Sequence, residues 1–272
     1  MDSRIIADKL NNLRAAIRAK KKLLVAFSGG VDSSVVAKVA QDELGRNALA
    51  LIVDSETFPR AELELAVKVA TELQLRWTAV KHSELANPSF VKNPVNRCYH
   101  CRKELAKVLK EVARKEAIDT IADGIIASDF NEHRPGIRAA DEANIWHPLA
   151  ELEFSKSDVR AVAELLRLPV YNKPPMACLS SRIPYGEEIT IEKLKMIEAA
   201  EEVLKSFGFS QVRVRHYAHG PLARIEVPGA ELGLFFDLKL REKITEKLKV
   251  LGYTYITVDL EGYRSGSMDE VI

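Results

Sequence analysis

Hydrophobic positions follow two spacings along the first two-thirds of the chain. Short unbroken apolar runs at 24–27 and 48–53 have the length and composition of strands buried on both faces, and the more mixed segments 76–80 and 118–122 also read as strands. Between them the apolar residues recur three and four apart. Ile5, Ile6, Leu10, Leu13 and Ile17 share one face of a helix over 3–19, and Val35, Val36, Val39 and Ala40 line a helix from Asp32 to near Gly45. Leu63, Val67 and Ala70 mark a helix over 60–73, and another runs from about 101 to 115. Ser155 starts a further helix with Asp158 in the capping-box position, and Leu168-Pro169 ends it. Strands alternating with helical crossovers predict an α/β fold with a doubly wound parallel sheet. Segments 82–97, 125–138 and 171–186 read as loops, and 147–149 as a short extended piece. Past the proline-rich stretch 171–186 the order becomes helix 190–207, strand 211–217, strand 223–227, helix 237–250 and strand 253–258. That αββαβ order predicts a small ferredoxin-like α+β module. The expected domains are therefore 1–183 and 184–272.

Composition narrows the class. A chain of 272 residues can bury two cores, and 47% hydrophobic with 29% charged residues is ordinary for a globular protein. No apolar run approaches the roughly 20 residues that span a bilayer, and the N-terminus lacks a signal-peptide core, so a cytoplasmic location without membrane contact is expected. A net charge of +1 argues against a broad nucleic-acid footprint. The three cysteines, Cys98, Cys101 and Cys178, are an odd set for a secreted disulfide framework. In a reducing compartment they point to metal ligation or thiol chemistry.

The first strand feeds Ser28-Gly29-Gly30-Val31-Asp32-Ser33 and then a helix. A strand, a glycine turn and a helix N-terminus together present backbone N–H groups and the positive end of a helix dipole, which suits an anion. The glycines allow close approach and the serines add hydroxyl donors. No Gly-Lys-Ser/Thr follows, so this is not the Walker pattern. A plain strand–turn–helix corner is the alternative. Asp54, Ser55 and Gly124 stand at the ends of later strands, where open parallel sheets place ligand contacts, and Arg134 can neutralise phosphate or anchor its own loop. Cys98 and Cys101 form a CxxC that fits a metal, a redox pair or two unrelated buried thiols. With Cys178 added, three thiols and no evident fourth suit a 4Fe-4S cluster with one open iron better than a closed zinc site, although His100 could complete zinc.

The SGGVDS segment resembles the pyrophosphate loop of the N-type ATP pyrophosphatases, the PP-loop enzymes. These enzymes split ATP into AMP and pyrophosphate and leave AMP on a substrate. Taken with RPG, the Cys178 segment CLSSRIPYG, RVR, ARIE and the terminal GYRSG, the chain resembles the LarE family over essentially its whole length. The resemblance implies an adenine-nucleotide α-hydrolase-like sheet and an ATP-dependent sulfur transferase that adenylates pyridinium biscarboxylic acid mononucleotide and makes a thiocarboxylate for the nickel-pincer nucleotide. One branch of the family sacrifices a single cysteine, here matched by Cys178. The CxxC instead makes this chain similar to the cluster branch, with Cys98, Cys101 and Cys178 holding a 4Fe-4S cluster and sulfide on its open iron attacking the acyl adenylate. Mg²⁺ would sit with ATP at Asp32. The same resemblance implies substrate contacts from Ser180, Arg182, Glu201, Arg213, Arg215 and Glu226. Read alone, Arg213 and Arg215 are strand residues sharing one face, the glutamates are surface charges, and Ser180 to Arg182 cap a loop. A homo-oligomer, a sulfide donor and a downstream nickel-insertion protein are the expected partners. tRNA thiolation, and an ATP-binding module with structural zinc, are the competing readings.

Overall fold

A computed structural model describes residues 3–131, 135–218 and 220–272. The chain divides into two compact units, residues 1–84 with 96–176, and 85–95 with 177–272. In the first, α1 (Ser3–Arg18) precedes β1 (Leu23–Ala26), α2 (Val31–Leu44), β2 (Ala48–Asp54), α3 (Arg60–Glu72) and β3 (Trp77–Lys81). The short α4 (Pro88–Val91) belongs to the second unit. The first resumes with α5 (Arg97–Lys115), β4 (Ile121–Ala122), α6 (Pro135–Glu142), α7 (Pro148–Glu151) and α8 (Lys156–Leu165). Its four strands are parallel in the order β3-β2-β1-β4.

Strand alternation sends side chains to two helix layers. Leu23 and Val25 of β1, with Ala48, Ala50 and Ile52 of β2, pack on α1, α2, α3 and α8 through Leu13, Val35, Val69 and Val162. Leu24, Leu49 and Leu51 face the other way, onto Ala106 and Leu109 of α5 and Ala140 of α6. The strand order reverses between β1 and β4, the switch point at which open α/β sheets bind ligands.

The second unit holds α9 (Ile191–Ser206), β5 (Arg213–Tyr217), β6 (Leu222–Glu226), α10 (Leu238–Val250) and β7 (Tyr255–Val258). β5 and β6 are antiparallel and β6 and β7 parallel, with α10 as the crossover. Leu204, Val214, Ile225, Leu248 and Tyr253 form its core. Residues 85–95 join this unit because Asn93 donates to the carbonyls of Ile183 (3.2 Å) and Pro184 (2.7 Å), while Ile189 N–H donates to Val91 O (2.9 Å).

Four local expectations differ. The helix expected from about 101 begins at Arg97, so both CxxC thiols are helical. Segment 147–149 is not extended: Pro148 at the first helical position starts the single turn α7. The expected loop 125–138 holds the start of α6, and 82–97 contains α4, which Asn87 caps. Among the described residues no helix is long and apolar enough to cross a membrane.

Candidate active site

The loop after β1 is built so that only glycine fits two of its neighbours. Gly29 has φ of 66°, and a Cβ there would lie 2.7 Å from the Ala66 Cα of α3. At the end of β4, a Cβ on Gly124 would lie 2.7 Å from the Ser33 nitrogen. The loop after β1 therefore packs closely on α3, and the end of β4 closes on the first turn of α2. Ser33 Oγ ties the loop together: it accepts from Ser28 N–H (3.3 Å), donates to Gly30 O (3.2 Å) and lies 3.2 Å from Ser28 Oγ. Val31 is buried, while Ser28 is exposed. Hydroxyls and amides are thus pre-arranged around a bare backbone cradle.

Two lysines converge on this loop from far along the chain. Lys156, the first residue of α8, donates to both oxygens of Asp32 at 2.7 and 2.6 Å. Lys173 donates to Gly29 O (3.2 Å) and to Glu62 (2.6 Å). At the end of β2, Asp54 is held by Arg60 at 2.6 Å, and Arg60 also reaches the Ser55 carbonyl. Beside Gly124, buried Asp123 accepts from Arg102, from Ile125 N–H (3.1 Å) and from His147 Nδ1 (2.7 Å). Burial opposes a charged His147, but its bonds and charge contacts with Asp123 and Asp141 outweigh that and raise its pKa. Arg134 lies outside the described residues.

None of the three cysteines is tied up in a disulfide. Cys98 is exposed and Cys101 half-buried, three positions apart on the first turns of α5. Cys101 Sγ donates to Glu84 Oε1 at 2.9 Å, and Thr57 Oγ1 donates to Glu84 Oε2. Cys178, in the second unit, lies with its Sγ 3.0 Å from Ser180 Oγ. Among the described residues no three His, Cys, Asp or Glu side chains stand ready-made as a metal site.

In the second unit the arginines are interior groups, not solvated ones. Arg182 makes a forked pair with Glu201 at 2.8 and 3.1 Å, and Glu201 also accepts from Val214 N–H (3.1 Å). Arg215 bonds Glu226 (2.5 Å) and Ser267 Oγ (2.9 Å), and that hydroxyl returns to Glu226 at 2.8 Å. Arg213 differs. Its side chain reaches only the Val212 carbonyl (2.8 Å) and the face of Tyr263 at 5.2 Å, with no carboxylate partner among the described residues. Burial, then the Arg182 charge, lower its pKa against the opposing pull of Glu201.

Sequence reasoning missed Lys156, Lys173, Asp123, His147, Thr57 and Glu84. The lysines sit 124 and 144 positions from the residues they touch, so no local pattern announces them. The one available signal was the missing Walker lysine, which leaves phosphate charge to be met from elsewhere.

A parallel sheet whose strand order reverses at a glycine loop, with serine hydroxyls and imported lysines at that point, defines a PP-loop nucleotide-binding protein. Residues 5–108 match the NAD synthase family model. A pyridinium-3,5-bisthiocarboxylic acid mononucleotide synthase of Lactiplantibacillus plantarum is 37% identical over 268 residues, covering 98% of this chain and 96% of that protein. An uncharacterised protein of Synechocystis is 43% identical over 269 residues, 98% of this chain and 99% of its own length. A glutamine-hydrolysing GMP synthase of Thermotoga maritima is 24% identical over 217 residues, 73% of this chain and 43% of that one. The chain belongs to the LarE family, and it is an ATP-dependent sulfurtransferase.

Proposed function

We propose that this chain adenylates a carboxylate of pyridinium biscarboxylic acid mononucleotide and converts it to a thiocarboxylate for the nickel-pincer nucleotide. The full-length similarity to the Lactiplantibacillus synthase carries the reading, and the loop geometry supports it. A carboxylate is a poor electrophile. One of its oxygens attacks the α-phosphorus of ATP, the bond to pyrophosphate breaks, and the mixed anhydride with AMP is reactive. A sulfur nucleophile then attacks the acyl carbon and AMP leaves with its oxygen.

Ser28, Gly29, Gly30, Val31 and Ser33 cradle the departing pyrophosphate, with Asp32 on Mg²⁺. Asp54, Ser55 and Gly124 border the nucleotide, Arg134 is assigned to neutralise phosphate charge on the family resemblance alone, and Lys156 and Lys173 supply the positive charge the loop lacks. Arg213 is the guanidinium with a fork to spare for the substrate phosphate or carboxylate. Arg182, Glu201, Arg215 and Glu226 hold that surface rigid around it, and Ser180 meets the substrate beside Cys178. Three soft sulfur donors outside any disulfide suit iron, so Cys98, Cys101 and Cys178 would, on losing their thiol protons, hold a 4Fe-4S cluster, which when bound would supply sulfide without consuming a cysteine. A sulfide donor upstream and a nickel-insertion step downstream complete the reading.

The test is anaerobic incubation of iron-reconstituted protein with ATP, Mg²⁺, sulfide and the biscarboxylic mononucleotide, read by mass spectrometry. Repeated formation of thiocarboxylate, AMP and pyrophosphate with unchanged protein mass is expected. A protein lighter by one H₂S at Cys178 would replace the cluster with a sacrificial cysteine. No thiocarboxylate would overturn the function.

A further inference from the structure

Glu84 is a buried carboxylate held by two neutral donors. Thr57 Oγ1 bonds one oxygen and Cys101 Sγ the other at 2.9 Å, and among the described residues no cation pairs with it. A buried carboxylate is costly without hydrogen-bond donors, and here the Thr57 hydroxyl and the Cys101 thiol supply them. The bonds continue beyond it. Thr57 Oγ1 lies 3.3 Å from Ser55 Oγ, and both residues are buried. Parallel pairing explains the meeting: Asp54 sits opposite Lys81 in register, and His82 N–H donates to Asp54 O at 2.9 Å. The segments leaving β2 and β3 therefore run together, carrying Ser55 and Thr57 against Glu84. Glu84 N–H also donates to Glu56 Oε2 at 3.3 Å. A continuous hydrogen-bonded chain thus joins the nucleotide end of β2 to one thiol of the CxxC, inside one compact unit.

We propose that Glu84 is a positioning residue that couples the Cys101 thiol to nucleotide occupancy through Thr57 and Ser55. The proposal rests on the reading that Ser55 borders the nucleotide and Cys101 serves sulfur delivery. When the nucleotide engages Ser55, the hydroxyl that braces Thr57 is withdrawn. Thr57 and Glu84 then shift, and the thiol's direction shifts with them. Activation of the carboxylate and readiness of the sulfur site would be linked by this chain.

The test uses metal-free, full-length protein carrying Cys98→Ser and Cys178→Ser, so that Cys101 is the sole thiol. Its alkylation by N-ethylmaleimide is timed with and without a saturating non-hydrolysable ATP analogue and Mg²⁺, and binding of the analogue is measured separately by calorimetry. The analogue should change the alkylation rate about threefold or more. Thr57→Val should abolish that change while still binding the analogue, and Glu84→Ala should do the same. Glu84→Gln and Thr57→Ser, which keep the hydrogen-bonding groups, should retain it. Direct shielding of the thiol by nucleotide would survive Thr57→Val, so an undiminished response there overturns the proposal. A parent that binds the analogue without any response also overturns it and leaves the proposed function standing. A parent that binds no analogue defeats the proposed function itself, and the coupling with it.

Discussion

The glycine loop of the first unit and the arginine–glutamate network of the second handle charge in opposite ways. At the loop, the cations and anions are part-exposed and their bonds are replaceable: Lys156 is 42% exposed and its partner Asp32 26%. In the network the partners are sealed, with Arg215 at 6% and Glu226 at 0%. An exposed pair costs little to break and is free to trade partners with an incoming Mg²⁺–phosphate. A sealed pair has lost its water and depends on its partners within the protein, so it holds shape in place of exchanging ligands. Arg213 is the exception inside the network, because it is buried without a carboxylate partner among the described residues. The comparison separates groups that bind from groups that keep binding groups in position.

The sharpest way to break this contrast is to cut one pair of each kind. Glu226→Ala strands Arg215 and should cost about 3–5 kcal/mol of the second unit's stability. Lys156→Met should change stability by only about 0–1 kcal/mol, yet weaken ATP by about tenfold, which is about 1.4 kcal/mol. Urea denaturation and calorimetric ATP titration check both halves. Equal stability losses would dissolve the distinction.

A smaller effect follows from His216 in the same network unit. It is 3% exposed, its Nδ1 has no hydrogen-bond partner among the described residues, and burial, then the Lys193 charge, lower its pKa to about 4. The unfolded chain binds that proton near pH 6.5 and the folded one does not until about pH 4. Stability from this residue is therefore intact above pH 6.5 and falls as pH drops toward 4, by about 3 kcal/mol at most. Urea midpoints between pH 7 and 4.5 should show the fall, and His216→Gln should flatten it. Equal slopes in both proteins would contradict the assignment.

Much of the fold was legible because apolar periodicity is local. The runs at 24–27 and 48–53 are strands displaced by a residue at most, and Ser155 with Asp158 forms the expected capping box. Helix starts were harder to place. Asn96 makes no side-chain capping bond to mark the start of α5, which begins at Arg97 where the apolar spacing pointed to about 101. The family motifs drew attention to RVR and ARIE, but alternating charge on a strand resembles a solvated face. Their interior placement comes from antiparallel register: Arg213 faces Glu226 and Arg215 faces Arg224, which leaves Arg215 diagonal to Glu226 on one face. The Glu84 chain was invisible in sequence, because it depends on two parallel strands ending side by side.

The central claim is that the loop unit activates a carboxylate by attaching AMP to it. It is tested most directly by labelling the substrate carboxylate with a heavy oxygen isotope and locating the label after turnover with ATP, Mg²⁺ and sulfide. One labelled oxygen in AMP and none in pyrophosphate is the predicted result. Label in inorganic phosphate or pyrophosphate, or unlabelled AMP beside thiocarboxylate product, would contradict it.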